Sequence, residues 1–251
     1  STPRRSSLRR SSKASSNCSR RARRARASRS LRRLRRIRRR VSLETLRACA
    51  NLGVNLLEGG EAALALETLQ RAYAGLDGNP TFAWVGTAMV DAAAASGRVD
   101  LVRQEAPKVA AWVRRTTEQA SERQVSELLR LVAAMADVGA FAEAEPIARL
   151  VQVDAASLDG DGWLPWLSRC ECGVVLAGLG KPAEAVPLLD EGLERLLAWH
   201  GSERALSDGA RPLVARRLEV ALTQRVALAT ALGDTARTVA WQRRLETFRG
   251  R

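Results

Sequence analysis

The stretch that decides the fold is "CGVVLAGLGKPAEAVPLLDEG", residues 172–192. At its centre, Gly178, Gly180 and Lys181 allow two readings: a loop that grips phosphate, or a corner between two helices. A phosphate loop needs G-x-x-x-x-G-K-[S/T], a strand before it and a hydroxyl directly after the lysine. Here Pro182 follows Lys181, and the preceding run has apolar residues at helical period. Proline suits the first turn of a helix, where its missing N–H costs nothing. The stretch reads as a helix–corner–helix.

The same punctuation recurs along the chain. Gly60, Gly97, Gly139, Gly180 and Gly233 each follow one helical run and precede another, at gaps of 37, 42, 41 and 53 residues. Glycine placed this way marks helix ends closed by a left-handed residue, and such a period in an all-helical chain marks a repeat architecture. Shifting residues 46–76 by 120 places them on 166–196 with eight identities, among them Gly53/Gly173, Leu56/Leu176, Gly60/Gly180, Ala65/Ala185 and Leu69/Leu189. The matches supply a small residue midway along the first helix, a flexible corner, and an alanine and leucine four apart on the second helix. Two helices that pack closely as a hairpin need those residue types at those places.

These positions carry a family resemblance. "NLGVNLLEGGEAALALETLQRA" (51–72) resembles a tetratricopeptide repeat (TPR) through Leu52-Gly53, Leu56, Gly60, Ala65, Leu69 and Ala72. Residues 172–192 match through Gly173, Leu176, Gly180, Ala185 and Leu189, with Gly192 in place of the usual alanine. "VGAFAEAEPIARLV" (138–151) adds a third corner with Phe141 and Ala144, whereas 83–113 and 219–248 keep little beyond Gly97 and Gly233. With A-E-A-x-P at 142–146 and 183–187, the spacing is similar to bacterial repeats of the kinesin-light-chain-like kind. The resemblance implies an all-α, right-handed solenoid of four to five helical hairpins over residues 41–251.

Composition separates this domain from what precedes it. Residues 1–40 hold 17 Arg, Lys13 and no acidic residue, a charge of +18. The remaining 211 residues hold 23 basic and 27 acidic groups, a balance of −4. Residues 1–40 are poor in apolar surface and are expected to be a disordered basic tail, although "LRRLRRIRRR" (31–40) spaces Leu31, Leu34 and Ile37 for a helix on an acidic partner. Three readings of the tail stay open: binding of nucleic acid or another acidic surface without sequence specificity, a linker to an upstream signalling domain, or a translated frame of GC-rich DNA, which 38 Arg beside three Lys suggests. The chain begins at Ser1 rather than Met, so it is expected to be processed or part of something longer. No apolar run approaches the ~20 residues of a membrane span. The four cysteines, Cys18, Cys49, Cys170 and Cys172, form no C-x-x-C pair, which fits a reducing, cytoplasmic setting and gives neither a disulfide framework nor a zinc site.

Candidate chemistry is thin. "DGDGW" (159–163) opens like a calcium loop, but Leu164 and Pro165 follow where oxygen ligands are needed. His200 has Ser202 and Asp208 nearby, within a connection read over 197–212, yet triads are built by geometry rather than by proximity in sequence. The six tryptophans lack the basic interleaving of a base-stacking platform and read as packing residues. The chain is expected to have no catalytic residues, metal or cofactor, and to act as a non-enzymatic scaffold for an unidentified protein or peptide. The resemblance places the partner on a concave groove lined by first helices, at Arg47, Ala50, Val54 and Leu57 and at Leu167, Cys170, Val174 and Ala177. On this reading Cys172 is interior, Cys170 faces the groove, and the groove is small and apolar, suited to an amphipathic helix. It is either open to that partner or filled by the protein's own chain.

Overall fold

The structure, a computed structural model, describes residues 42–76, 80–115, 121–158, 162–202 and 210–250. The basic segment 1–40 lies outside the described residues. Ten α-helices and no strand occur among the described residues: α1 (Leu43–Glu58), α2 (Ala62–Leu76), α3 (Ala83–Ala95), α4 (Val99–Arg114), α5 (Glu122–Asp137), α6 (Phe141–Ala156), α7 (Leu164–Gly178), α8 (Pro182–His200), α9 (Arg211–Ala231) and α10 (Thr235–Arg249). They pair as five antiparallel hairpins, α1–α2 to α9–α10, stacked in chain order. The all-α solenoid expected from the sequence is the observed fold.

Every corner closes in the same way. Gly60, Gly97, Gly139, Gly180 and Gly233 all adopt φ between 68° and 77°. The next residue then donates its N–H to the carbonyl five positions back: Glu61 to Leu56, Arg98 to Ala93, Ala140 to Met135, Lys181 to Leu176 and Asp234 to Ala229, at 2.8–3.0 Å. This closure satisfies carbonyls that the helix end would otherwise leave orphaned, and it requires a left-handed residue at the corner. Pro182 occupies the first position of α8, as its missing N–H favours. The connection read over 197–212 is shorter than expected. Helix α8 runs on through His200 and α9 begins at Arg211, so much of the widest glycine gap is additional helix.

Within the hairpins the helices approach closely at glycine. A Cβ on Gly53 would lie 2.5 Å from Leu69 Cγ, and one on Gly173 would lie 2.7 Å from Leu189 Cγ. The two pairs are equivalent under the 120-residue shift. Gly86 of the second hairpin approaches Val109 in the same fashion, with 2.9 Å to Val109 Cγ2. The unusual Gly192 has its own explanation: a Cβ there would sit 2.8 Å from Cys170 Sγ and 3.0 Å from the Trp166 carbonyl oxygen. The equivalent positions of the first hairpin hold Ala72 and Ala50, both fully buried. One hairpin thus uses two alanines where the other uses cysteine against glycine.

The C-terminal end of the array differs from its middle. Helix α10 buries only Trp241 and Leu245. Its Trp241 ring is approached by both Arg225 and Arg244, whose guanidinium carbons are 5.5 and 4.5 Å from the ring centroid. Repeat arrays need such polar terminal elements to avoid leaving an open apolar face.

Two alanine substitutions separate the roles of glycine. Gly180→Ala meets no atom within 4 Å and is expected to cost about 1–2 kcal/mol through its left-handed backbone alone. Gly173→Ala overpacks Leu189 and is expected to cost about 1–3 kcal/mol. In denaturant unfolding, Gly180→Asn should cost less than Gly180→Ala because asparagine tolerates the left-handed region, whereas Gly173→Asn should be no better than Gly173→Ala.

Candidate functional site

The packing of the hairpins defines an inner face. Successive first helices touch along the whole row α1, α3, α5, α7, α9, while among second helices only α4 and α6 make more than marginal contact. A stack whose first helices are crowded and whose second helices are splayed curves toward the first helices. The concave side is therefore built from α1, α3, α5, α7 and α9.

Charged side chains run along this side. Arg130 of α5 bonds Asp91 of α3 through Nε at 3.0 Å and a second time through a terminal nitrogen. Burial holds the Asp91 carboxyl above the usual range, against the pull of Arg130 and, more distantly, Arg216. Burial also opposes the charge on Arg130, yet Asp91, Glu127 and Glu58 together hold its guanidinium above the ordinary arginine value. Carboxylates of α3 and α5 thus contact one arginine, and Glu58 of α1 acts on it from further off.

Further along, Arg217 of α9 is 2% exposed and grips Glu171 of α7, also 2% exposed, through two bonds of 2.6 and 2.7 Å. Its third nitrogen reaches Asp137 of α5 at 2.6 Å, and Arg216 reaches the other oxygen of Asp137 at 2.9 Å. Burial works against the charge on Arg217, but the two carboxylates outweigh it and raise its pKa. Helices α5 and α9 flank α7 in the row, so a direct pair between them passes over the inner face of α7. There Ser168, Glu171 and Val175 are buried. The inner face is closed at α7.

It is open at α1. The 120-residue shift carries Glu171 onto Asn51, which places the inner stripe of α1 at Glu44, Ala48, Asn51, Asn55 and Glu58. All five are exposed. The residues expected to line the groove lie on a neighbouring stripe. Ala50, Leu167, Cys170 and Val174 are buried and offer no surface, whereas Arg47 is exposed and Val54, Leu57 and Ala177 are half-buried. Cys170 does not face a groove: it fills the space that Gly192 leaves on the partner helix α8. Nor is the inner face apolar, because its open part carries carboxylates and amides. The residues missed were Asp91, Arg130, Asp137, Glu171, Arg216 and Arg217. Glu171 alone gave a signal, as the one carboxylate in a first helix that is mostly apolar.

No protein-family model matches the chain, and a search of curated proteins finds no match. Solved structures do match. A Podosopora anserina kinesin light chain structure of nearly identical TPR-like repeats aligns with a TM-score of 0.59 at 17% identity, covering 83% of this chain and 96% of that one. A single-substitution form of the same protein aligns with a TM-score of 0.59 at 17% identity over 82% and 95%. This chain has a TPR-like repeat fold. At such low identity the likeness speaks for the architecture of the solenoid, and the site must be argued from this chain's own residues.

The other candidate chemistry of the TPR-like solenoid is absorbed by packing. Lys181 holds both oxygens of Glu145 at 2.8 Å, and Glu145 also accepts from Arg149, which reaches on to Glu184 at 2.6 Å. The lysine of the corner therefore links the third hairpin to the fourth. His200 ends α8 with its ring 5.5 Å from that of Phe248, and Asp208 lies outside the described residues. Of the calcium-like stretch, residues 159–161 lie outside the described residues, and Trp163 stacks at a tilt on Trp199 with 6.4 Å between centroids. Burial pushes the Cys170 thiol far up and the Cys172 thiol up to about 11, so neither is a thiolate near neutral pH. A cleft of about 670 Å³ lies between His200, Arg211 and Phe248, with Arg249 at its rim engaged by Glu219 at 2.8 Å. No group of three or more metal-ligating side chains occurs among the described residues.

Two tests address the ionic contacts. Arg217→Ala leaves Glu171 buried without its partner and is expected to cost about 3–5 kcal/mol in denaturant unfolding, while Arg217→Met with Glu171→Met should recover much of that loss. Hydrogen bonds from Lys181 and Arg149 hold the Glu145 carboxyl below its ordinary value. A depressed folded-state pKa contributes stability that is present above the unfolded value and lost as pH falls through the folded one. Glu145→Gln should therefore be less stable than the wild type at neutral pH, and the gap should close progressively in acid.

Proposed function

We propose that the TPR-like solenoid is a non-enzymatic scaffold that binds a protein partner, a peptide or helix, on its inner face. The observation that carries this reading is the contrast along that face: sealed over α7 by Arg216 and Arg217, and exposed on α1 at Glu44, Ala48, Asn51, Asn55 and Glu58. The likeness to the TPR-like repeats of a kinesin light chain supports a protein partner. The non-enzymatic reading is supported by the engagement of Lys181 with Glu145 and by the raised thiols of Cys170 and Cys172. Arg47, Val54 and Leu57 border the open stripe and, with Ala177 on α7, are the accessible members of the groove read from sequence.

Context is part of the same proposal: a cytoplasmic protein, forming the C-terminal part of a larger bacterial signalling or regulatory protein. Sparse, unpaired cysteines and the preference for Arg over Lys support it. No helix among the described residues is long and apolar enough to cross a membrane.

The second reading, nucleic-acid binding, rests on the +18 charge of residues 1–40 alone. If it applies, the intact chain binds DNA or RNA with a steep salt dependence, and a truncation starting at Val41 loses that affinity. The scaffold reading is tested with the same truncation used as bait. A protein captured by it should be lost on Asn51→Arg and kept on Gln70→Arg, which alters an exposed position of α2. Capture that survives Asn51→Arg overturns the inner-face assignment.

A further inference from the structure

We propose that the cleft between α8, α9 and α10 binds a carboxylate joined to an apolar group. The inference is independent of the inner-face reading, because the residues that line the cleft belong neither to the open stripe of α1 nor to the contacts that seal α7.

The cleft is built from turns of helix that the other hairpins lack. Helix α9 begins at Arg211, 22 positions before Gly233, whereas the other first helices begin 14–17 positions before their corner glycine. Helix α8 ends 20 positions after Gly180, and the other second helices end 16–17 positions after theirs. His200, Arg211, Pro212 and Ala215 all belong to these additional turns and line the cleft. Phe248 of α10 supplies a further wall. It lies 15 positions after Gly233, the place that Trp112 holds after Gly97. Each ring packs on an aromatic ring of the preceding second helix at 5.5 Å between centroids, Trp112 on Tyr73 and Phe248 on His200. Trp112 is 3% exposed at its place, but Phe248 is half-buried and borders a cleft of about 670 Å³. That volume suits a small organic molecule.

The lining decides the class of molecule. Pro212, Ala215 and Phe248 offer apolar surface. Arg249 and Glu219 answer one another at 2.8 Å, so that pair adds no net charge. Arg211 is half-buried and has no carboxylate partner among the described residues. It also stands in the first turn of α9, where the helix macrodipole favours an anion. A guanidinium grips a carboxylate through two parallel N–H bonds. One such group beside an apolar wall matches one carboxylate on an apolar body. A phosphate dianion would call for a second cation, and Arg249, the other arginine of the lining, is already held by Glu219.

The test titrates phenylbutyrate into the full chain by isothermal calorimetry at about 150 mM NaCl, where long-range attraction to the +18 of residues 1–40 is screened. Saturable binding to one site is expected, in the millimolar range or tighter. Phenylbutyramide, which lacks the charge, should bind about tenfold more weakly. Arg211→Met should weaken phenylbutyrate by a similar factor, and Ala215→Trp, which fills the apolar wall, should abolish its binding. Arg243→Met removes an exposed arginine of α10 outside the cleft and should keep the wild-type affinity. Circular dichroism should report wild-type helicity for each variant. Should Ala215→Trp lose helicity, Ala215→Leu gives the same comparison with a smaller obstruction. An acetylated tripeptide ending in a free phenylalanine carboxylate distinguishes the two sources of such a group: tighter binding than phenylbutyrate supports a chain terminus, and weaker binding supports a free acid. The absence of saturable binding by either probe overturns the proposal. So does equal affinity for the acid and the amide, or an affinity that neither Arg211→Met nor Ala215→Trp changes. An equal loss in Arg243→Met also overturns it, since that reports only bulk charge. The inner face takes no part in the measurement, so a negative result leaves the scaffold reading standing.

Discussion

A leucine seated on a glycine sets the geometry of this protein. Leu69 on Gly53 and Leu189 on Gly173 bring paired helices closer than any side chain at those positions would allow. Close pairing within a hairpin fixes how its two helices seat on one another, and across hairpins the first helices touch in a row while the second helices spread. Curvature, and with it an inner face, follows from that asymmetry. The exchange of Ala50 and Ala72 for Cys170 and Gly192 shows that the constraint is on combined volume at the seam rather than on identity.

Charge then decides what the curvature is used for. Where first helices are flanked on both sides, as α7 is, their inner side chains leave water. A carboxylate placed there must bring its own cation. Glu171 does so with Arg217, a pair whose mutual attraction is offset by the cost of taking both charges out of water. Toward α1 there is no further hairpin among the described residues to close the face, and the same register position holds Asn51, exposed. One repeat position thus serves packing in one hairpin and surface in another.

What could be read from the sequence was local or periodic. A left-handed corner needs glycine whatever surrounds it, so five glycines located five corners, including those of hairpins that keep almost nothing else of the repeat. The Gly–Leu approach was legible because it occurs twice at one offset. The inner stripe was not, because it depends on how hairpins rotate against one another, and a helix with apolar residues on most of its circumference, such as α7, does not disclose which side meets which neighbour. Leu167 and Val174 are apolar because they are buried, and burial was mistaken for an apolar groove. The pair between Asp137 and Arg217, 80 positions apart, has no local trace at all. Composition hid it too, since both residues look like ordinary surface charges.

The bridge from α5 to α9 also bears on how the array comes apart. Stacked repeats are commonly treated as a chain of beads, each held only by its nearest neighbours, so that an end unit can fray alone. A contact that skips a unit breaks this description. With Asp137 held by Arg216 and Arg217, releasing the last hairpin strips partners from the third as well as the fourth. The C-terminal three hairpins are therefore expected to open as one cooperative block, while the first hairpin, held by packing on the second and by the longer-range pull of Glu58 on Arg130, is expected to open more readily. Amide exchange would resolve this as two plateaus along one solenoid, the less protected of them at the end whose inner face is exposed.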